Sequence, residues 1–349
     1  MKTISLKICL CAFAAVLCPP VLAQAAVKQP LRGLIAMGDI SFHRVDDGVP
    51  DNSLQYIYDK PGILDGIVLN VTWDQLEPKP NAINTSVIDK ALANVRTYNK
   101  KYPKTPLGVR LRVWAGPNAP KWVKKINGPS VTIQYSSVPI TIGRFWNTHY
   151  GNAWHKLQVE LAKKYDNDPL VREVGMTSCS SVTSEPFIFA GGAVSLKKMH
   201  TAGFTDGKYI NCLMRAPRDY LAWQNTLVEF PFDPFRYSDS GKPHPSTQMT
   251  VKIMRAWRKA MGQNGVLSNH ALPGPAPITP PAVYAAIKKL GQPIAFQFKY
   301  SKGMDWDATV RYGLSLGAGS IEIWPDTFNN LPSQQLKQWS LDIKRNQTP

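Results

Sequence analysis

The sequence predicts a single-domain α/β fold, a (β/α)8 TIM barrel with long loops at the carboxyl ends of its strands. Strand-like apolar runs alternate with helix-periodic segments along the chain, an order typical of a parallel sheet with helical crossovers. About 325 residues follow a predicted N-terminal signal, a length that suits one barrel. An open doubly wound sheet is the alternative, but its first turn is usually glycine-rich, and the sequence has no such turn.

Residues 1–23 have the features of a secretory signal peptide. Lys2 and Lys7 precede an apolar run at 8–17, and small residues allow cleavage between positions 23 and 26. The run is too short to remain as a membrane span, and Cys18, followed by two prolines, fits a lipid-attachment site poorly. We therefore expect residues 27–349 to form a secreted or periplasmic monomer without a membrane span.

Seven strands can be predicted from apolar runs, whereas a closed barrel needs eight. We expect the missing strand within 53–58 or 217–245. Two long segments, 116–143 and the insertion that ends near 216, are expected to build the cleft at the strand exits. The predicted strands are residues 33–39, 65–71, 107–114, 171–176, 266–270, 294–300 and 321–324. The predicted helices are residues 87–98, 154–165, 218–229, 251–261, 283–290, 307–316 and 332–343.

Two cysteines, Cys179 and Cys212, remain after the signal. In an exported chain they most simply form a disulfide, and two buried free thiols are the alternative. A bridge would tie the exit of the fourth predicted strand to the loop that follows it.

The chain is strongly basic. Its formal net charge is +17, and the predicted signal carries two lysines and no acid, which leaves +15. This balance favours acidic partners, an acidic glycan among them. The lysines are scattered, however, and the sequence has no nucleic-acid motif, so we expect a basic solvated surface and no nucleic-acid partner.

Two glutamates occupy positions where a barrel delivers catalytic groups. Glu185 follows the fourth predicted strand and is held by Pro186, and Glu322 lies inside the seventh. Glycosidic bond cleavage needs one carboxylic acid and one carboxylate, with a separation of about 5–5.5 Å for retention and a larger one for inversion. The structural alternatives are a helix-capping role for Glu185 and an ion pair of Glu322 with Lys299 or Arg112.

Polar and aromatic side chains at strand ends could bind sugar hydroxyls and stack on sugar rings. Singly, each tryptophan is more typical of a core and His270 of a hydrogen-bonded structural residue. The candidate substrate-binding residues are Asp39, Asn70, Trp73, Arg112, Trp114, Ser184, His270, Gln297, Tyr300 and Trp324. The histidines show no zinc-ligand spacing, and neither a nucleophile elbow nor a phosphate-binding loop is present, so we expect no metal and no cofactor.

The run Ser184-Glu185-Pro186, with Glu322 on a late strand, resembles the retaining glycoside hydrolases of clan A. Residues 66–78 also resemble the second strand of these enzymes, which often continues into a Trp-x-x-x-Glu-Pro turn. The resemblance implies a barrel with the acid/base, here Glu185, after the fourth strand and the nucleophile, here Glu322, on the seventh. Ser184 stands where the clan usually has an asparagine that binds the sugar 2-hydroxyl.

These expectations define an exported retaining glycosidase acting on a poly- or oligosaccharide. Two other hypotheses remain open, since a fold does not determine a function. The first is a carbohydrate-binding barrel without turnover, and the second is a structural protein held at the cell envelope by its positive charge.

Overall fold

The computed structural model describes residues 27–37, 55–135, 138–186, 192–241, 243–273, 279–299 and 304–346. The predicted signal peptide and two candidate site residues, Asp39 and Tyr300, lie outside the described residues. Within the described ranges, no helix combines the length and the apolar character that a membrane crossing requires.

Eight parallel strands close into a barrel, which confirms the predicted fold class. Each strand pairs with its neighbours in chain order, and the last pairs with the first. The strands are β1 (Gly33–Met37), β2 (Gly66–Thr72), β3 (Gly108–Trp114), β4 (Val171–Gly175), β5 (Leu227–Pro231), β6 (Gly265–Leu272), β7 (Ile294–Phe298) and β8 (Ser320–Ile323).

The strand missing from the sequence prediction is β5, which lies in the second of the two expected regions. The prediction of a helix over 218–229 was wrong, because a helix ends at Asp219 and β5 begins at Leu227. The strand is short and has Glu229 at its centre. A charged residue is costly in a buried strand unless other groups inside the barrel pair with it. Those partners come from other strands, so the local sequence does not indicate a strand here.

Helices surround the barrel, and their buried faces recur at helical spacing. Side chains of Asn147, Thr205, Ser246 and Asp305 cap the amino ends of four of them. The helices are α1 (Trp73–Leu76), α2 (Ser86–Lys101), α3 (Lys121–Lys124), α4 (Thr148–Tyr165), α5 (Gly192–Thr201), α6 (Asp206–Asp219), α7 (Thr247–Met261), α8 (Pro281–Leu290), α9 (Trp306–Ser315), α10 (Pro325–Asn330) and α11 (Ser333–Arg345).

The long segments at the strand exits contain structure of their own. The segment after β3 contains a hairpin of Val131–Tyr135 with Val138–Ile142, and the insertion after β4 contains α5 and α6. The hairpin contacts α5: the backbone N–H of Gln134 in the hairpin donates a hydrogen bond of 2.9 Å to the hydroxyl of Ser195 on the helix. These additions therefore lie over the same end of the barrel.

The main hydrophobic core fills the space between the barrel and the helices. The barrel interior holds two small apolar clusters, one around Ile35 and Val68 and the other around Leu227 and Val266. The barrel interior also contains buried charged side chains. This is unusual, because branched hydrophobic residues generally fill the interior of a TIM barrel. The charged residues inside the barrel are Arg110, Arg112, Glu173, Glu229 and Glu322.

Candidate active site

Two arginines of β3 organise the charges inside the barrel. Arg110 binds Glu173 of β4 at 2.7 Å and Glu322 of β8 at 3.2 Å. Arg112 donates two hydrogen bonds to Glu322, at 2.9 and 2.6 Å. Gly175 leaves room for this arginine, since a Cβ there would lie 3.3 Å from Arg112 Cγ. Because burial of an unpaired charge is costly, these contacts are needed to keep the charges inside the barrel.

Glu322 lies on the eighth strand of the barrel, not the seventh, because β5 precedes it. Its side chain is fully buried, and both carboxylate oxygens accept hydrogen bonds from arginines. Glu322 therefore forms an ion pair with Arg112, the structural alternative that the sequence left open beside a catalytic role. The same arginine acts on Glu185, because its positive charge contributes to lowering the Glu185 pKa.

The seventh strand, where the resemblance places a nucleophile, carries Gln297 in register with Glu322. The side chain of Gln297 is buried, and its Oε1 has no hydrogen-bond partner among the described residues. A neutral amide cannot form the glycosyl ester that a retaining nucleophile forms. The pair of acids expected from the resemblance is therefore incomplete at this strand.

Glu185 lies at the carboxyl-terminal mouth of the barrel, on the loop that leaves β4. Its Oε1 is 3.0 Å from Nδ1 of His270 on β6, and its side chain remains 14% exposed. On the other side of the imidazole, Nε2 is 2.7 Å from Oε1 of Glu229 on β5. A histidine thus joins the partly exposed carboxylate of Glu185 to the fully buried carboxylate of Glu229.

The loop that carries Glu185 is attached to α6 at two points. Cys179 forms a disulfide with Cys212, which confirms the predicted pairing. Tyr209, one helical turn earlier on α6, donates a hydrogen bond of 2.6 Å to the carbonyl of Pro186. Because both ends of the segment 179–186 are held by one helix, Glu185 has a fixed position above the barrel.

Removing the disulfide by a double substitution, Cys179→Ser with Cys212→Ser, is expected to destabilise the protein by about 3–4 kcal/mol. The bridge spans 33 residues, and loop closure in the unfolded chain sets this magnitude. Guanidinium unfolding of the variant and of the oxidised and reduced wild type measures the loss. A variant as stable as the oxidised wild type would contradict the expectation.

A second acid at the mouth was missed by the sequence analysis. Asp233 follows β5 by two residues, and together with Pro186 and Tyr209 it lines a small cavity of about 20 Å³, room for about one water molecule. Its Oδ1 is 3.4 Å from the hydroxyl of Thr279. An acid followed by proline at a strand exit occurs here as it does at Glu185-Pro186, and this pattern could have indicated it.

The environments of these acids shift their pKa values in opposite directions. Burial raises the pKa of Asp233 to about 6, against the charge of Arg236, and the charge of Glu185 adds to the rise. Burial also acts on Glu185, but the hydrogen bond and charge of His270 outweigh it and lower the Glu185 pKa. One carboxyl can therefore hold a proton near pH 6 while its neighbour is ionised, a division of roles typical of acid–base catalysis.

Several other predicted residues also lie at the mouth. The indole of Trp114 donates a hydrogen bond of 2.9 Å to Oδ1 of Asn70, and both side chains are buried. Ser184, beside Glu185, is buried as well. Trp324 is half-buried against the apolar cluster around Ile35, and its indole donates to the Phe298 carbonyl at 2.7 Å.

The structure places Trp73 away from the mouth, which corrects the expected sugar contact. This residue opens α1 and is fully buried in the core between barrel and helices. Its ring packs edge-to-face against Trp122, Tyr150 and Trp154, with the nearest centroid, that of Trp154, at 5.0 Å. The strand ends just before it, so the chain turns outward and the indole points into the helical layer.

Comparison with solved structures identifies carbohydrate-active enzymes with the same barrel. Endo-glycoceramidase II from Rhodococcus sp., solved as a lactosyl-enzyme intermediate, has a TM-score of 0.55 and 15% identity over 87% of this chain and 76% of its own. An endo-β-1,4-glucanase from Xanthomonas axonopodis pv. citri, a triple mutant, has a TM-score of 0.51 and 12% identity, covering 89% of this chain and 99% of its own. The catalytic domain of β-amylase from Paenibacillus polymyxa has a TM-score of 0.52 and 10% identity, covering 85% of this chain and 93% of its own.

No protein-family model and no curated protein sequence matches the chain. At 10–15% identity, the structural likeness shows a shared fold. The chain therefore resembles glycoside hydrolases in its barrel, as its short motifs led us to expect. The assignment of a reaction has to come from the side chains at the mouth.

Proposed function

We propose that this protein is a glycoside hydrolase that cleaves a poly- or oligosaccharide at the carboxyl-terminal mouth of its barrel. The observation that carries the proposal is the position of Glu185. It is a partly exposed carboxylate, fixed by a hydrogen bond to His270, at the end of a closed parallel barrel where such folds perform catalysis. Asp233 supplies a second acid beside the same loop.

In the proposed mechanism, Asp233 protonates the leaving glycosidic oxygen and ionised Glu185 acts at the sugar carbon. The two roles follow from the opposite pKa shifts of these residues. Glu185 acts on the carbon either directly, with retention, or through a water molecule, with inversion. The retaining outcome expected from the sequence thus remains a proposal, with Glu185 replacing Glu322 as the attacking group.

The neighbouring structures act on unlike glycans, so the substrate has to be found with a panel. Cello-oligosaccharides, starch-type glucans, a glycosphingolipid and an acidic polysaccharide represent the neighbours' substrates and the basic charge of this chain. Proton NMR of the first product identifies both the substrate and the anomer. We expect turnover of at least one glycan, with kcat falling as the pH rises through about 6, because Asp233 then loses the proton it donates.

A carbohydrate-binding barrel without turnover is the second candidate, and one observation favours it. The seventh strand, where the clan usually has its nucleophile, carries the neutral residue Gln297. The carboxylate of Glu322 on the next strand accepts hydrogen bonds from arginine at both oxygens. Saturable binding of a glycan without product formation across the pH range 4–8 would support the binder and overturn the hydrolase. Lack of both binding and turnover would contradict both candidates.

The location of the protein outside the cytoplasm also remains a proposal. The Cys179–Cys212 disulfide supports it, since disulfides persist in oxidising compartments.

A further inference from the structure

Glu229 of β5 contacts His270 from inside the barrel, on the side of the ring opposite Glu185. It is fully buried, and its Oε1 lies 2.7 Å from Nε2 of the histidine. The nearest arginine among the described residues, Arg110, is 3.9 Å away and already binds Glu173 and Glu322 at shorter distances. The shortest polar contact of the Glu229 carboxylate is therefore with the imidazole.

We propose that Glu229 is a positioning residue that acts on Glu185 through His270. The buried carboxylate keeps both ring nitrogens protonated, so that Nε2–H donates to Glu229 and Nδ1–H donates to Glu185. A neutral imidazole has one N–H donor and could satisfy only one of the two acids. This inference rests on the proposed function for its catalytic consequence, but the arrangement itself can be measured without a substrate.

The two carboxylates beside His270 favour a protonated ring. Glu229 and Glu185 flank it directly, while Arg112 opposes protonation and Asp233 interacts at longer range. Burial works against the charge on His270, yet the two carboxylates outweigh burial and raise the His270 pKa to about 9. Glu229 is itself held ionised, because Arg110 and His270 outweigh its burial and lower its pKa well below the usual range.

The consequence for Glu185 is both geometric and electrostatic. The imidazolium fixes the rotation of this carboxylate above the mouth and lowers its pKa, so Glu185 is ionised at the pH where Asp233 still holds its proton. Without Glu229, the His270 pKa would fall, and the neutral ring could turn its single donor away from Glu185. The Glu185 pKa would then rise toward that of Asp233, and the separation of roles would be lost.

The first measurement uses wild-type protein with isotope-labelled histidine. A ¹⁵N NMR spectrum at pH 8 is expected to show both ring nitrogens of His270 protonated, with the signals assigned by their loss in His270→Gln. Titration should place the His270 pKa near 9. A ring that is neutral at pH 8 would overturn the proposal, and this result needs no variant of Glu229 to fold.

The second measurement compares Glu229→Gln with Glu173→Gln, a matched change in the same buried cluster. Glu173 binds Arg110 and the Leu31 amide, and no hydrogen bond or ion pair joins it to His270 in the described structure. We expect Glu229→Gln to lower the His270 pKa by about 1–3, and Glu173→Gln to leave it within a few tenths. Equal pKa changes in the two variants would overturn the proposal.

Kinetics then separate this inference from the proposed function. If a substrate is found, Glu229→Gln should reduce kcat by about 10-fold or more with KM little changed, and should move the acidic limb of the pH profile upward. An unchanged acidic limb would overturn the positioning role and leave the hydrolase proposal standing. If no glycan is turned over, the hydrolase proposal fails, and the NMR measurements still decide whether Glu229 holds His270 protonated.

Discussion

Replacing Glu185 by glutamine is expected to lower kcat by about 10²–10⁴-fold while leaving glycan binding nearly unchanged. Glutamine keeps the size of the side chain and can still hydrogen-bond His270, but it can neither attack a sugar carbon nor accept a proton from water. The carboxylate is partly exposed and carries no ion pair with an arginine or lysine among the described residues, so the fold should tolerate the change. Turnover on the substrate found by the panel and binding by calorimetry measure the two effects.

Glu160→Gln is a suitable control for this substitution. Glu160 lies on α4 in an exposed pair with Lys163, and its loss should change neither turnover nor stability appreciably. Asp233→Asn should show a loss of kcat similar to that of Glu185→Gln, and the double variant should be little worse than either, since the two acids act in one step. A Glu185→Gln enzyme with wild-type kcat would refute the assignment of this residue.

Replacing Glu322 by glutamine is expected to destabilise the barrel by about 3–5 kcal/mol. The substitution leaves Arg112 without its carboxylate partner and removes one of the two carboxylates that accept hydrogen bonds from Arg110, in a fully buried site. A buried charge without a partner carries the full cost of its desolvation. Denaturant unfolding, with the slope checked for two-state behaviour, gives the loss.

The same variant tests the catalytic role that the sequence suggested for Glu322. If the residue only neutralises the arginines, kcat per folded molecule should stay within a few-fold of the wild type, whereas loss of a nucleophile would reduce it by several orders of magnitude. The double variant Arg112→Met with Glu322→Met is expected to recover much of the lost stability, because apolar pairs can replace buried ion pairs. A stable Glu322→Gln protein without activity would restore Glu322 as the nucleophile.

Sequence reasoning was most successful where the signal is local. Apolar runs such as those of β2 and β3 predicted seven of the eight barrel strands to within a few residues, because a strand buried on both faces has few other compositions. Glu185 was singled out because it precedes a proline at a strand exit, which is also a local signal; the structure places it at the mouth, and its catalytic role stays a prediction. The disulfide followed from counting cysteines in a chain expected to be exported.

The prediction failed where a residue's meaning depends on distant partners. The strand β5 was missed because it contains Glu229, a charged residue. Nothing near Glu229 in the chain shows that His270, 41 residues away, would bind its carboxylate inside the barrel. Missing that strand moved Glu322 from the eighth to the seventh position and gave it a false match to the clan's nucleophile. The expectation that Trp73 contacts the sugar was wrong for a similar reason. The direction in which the chain turns after the strand end decides whether the indole enters the mouth or the helical layer.

Composition and periodicity, then, determined the barrel, the position of the loop acid Glu185 and the cysteine pair. Only the closed tertiary structure decided which buried charges each acid contacts. Closure of the sheet places β3 near β8, so Arg112 neutralises Glu322. Pairing of β5 with β6 places Glu229 next to His270, which links it to Glu185. Charge pairing in a buried site depends on distances of a few ångströms between residues that are tens to hundreds of positions apart, and no local pattern in the chain encodes them.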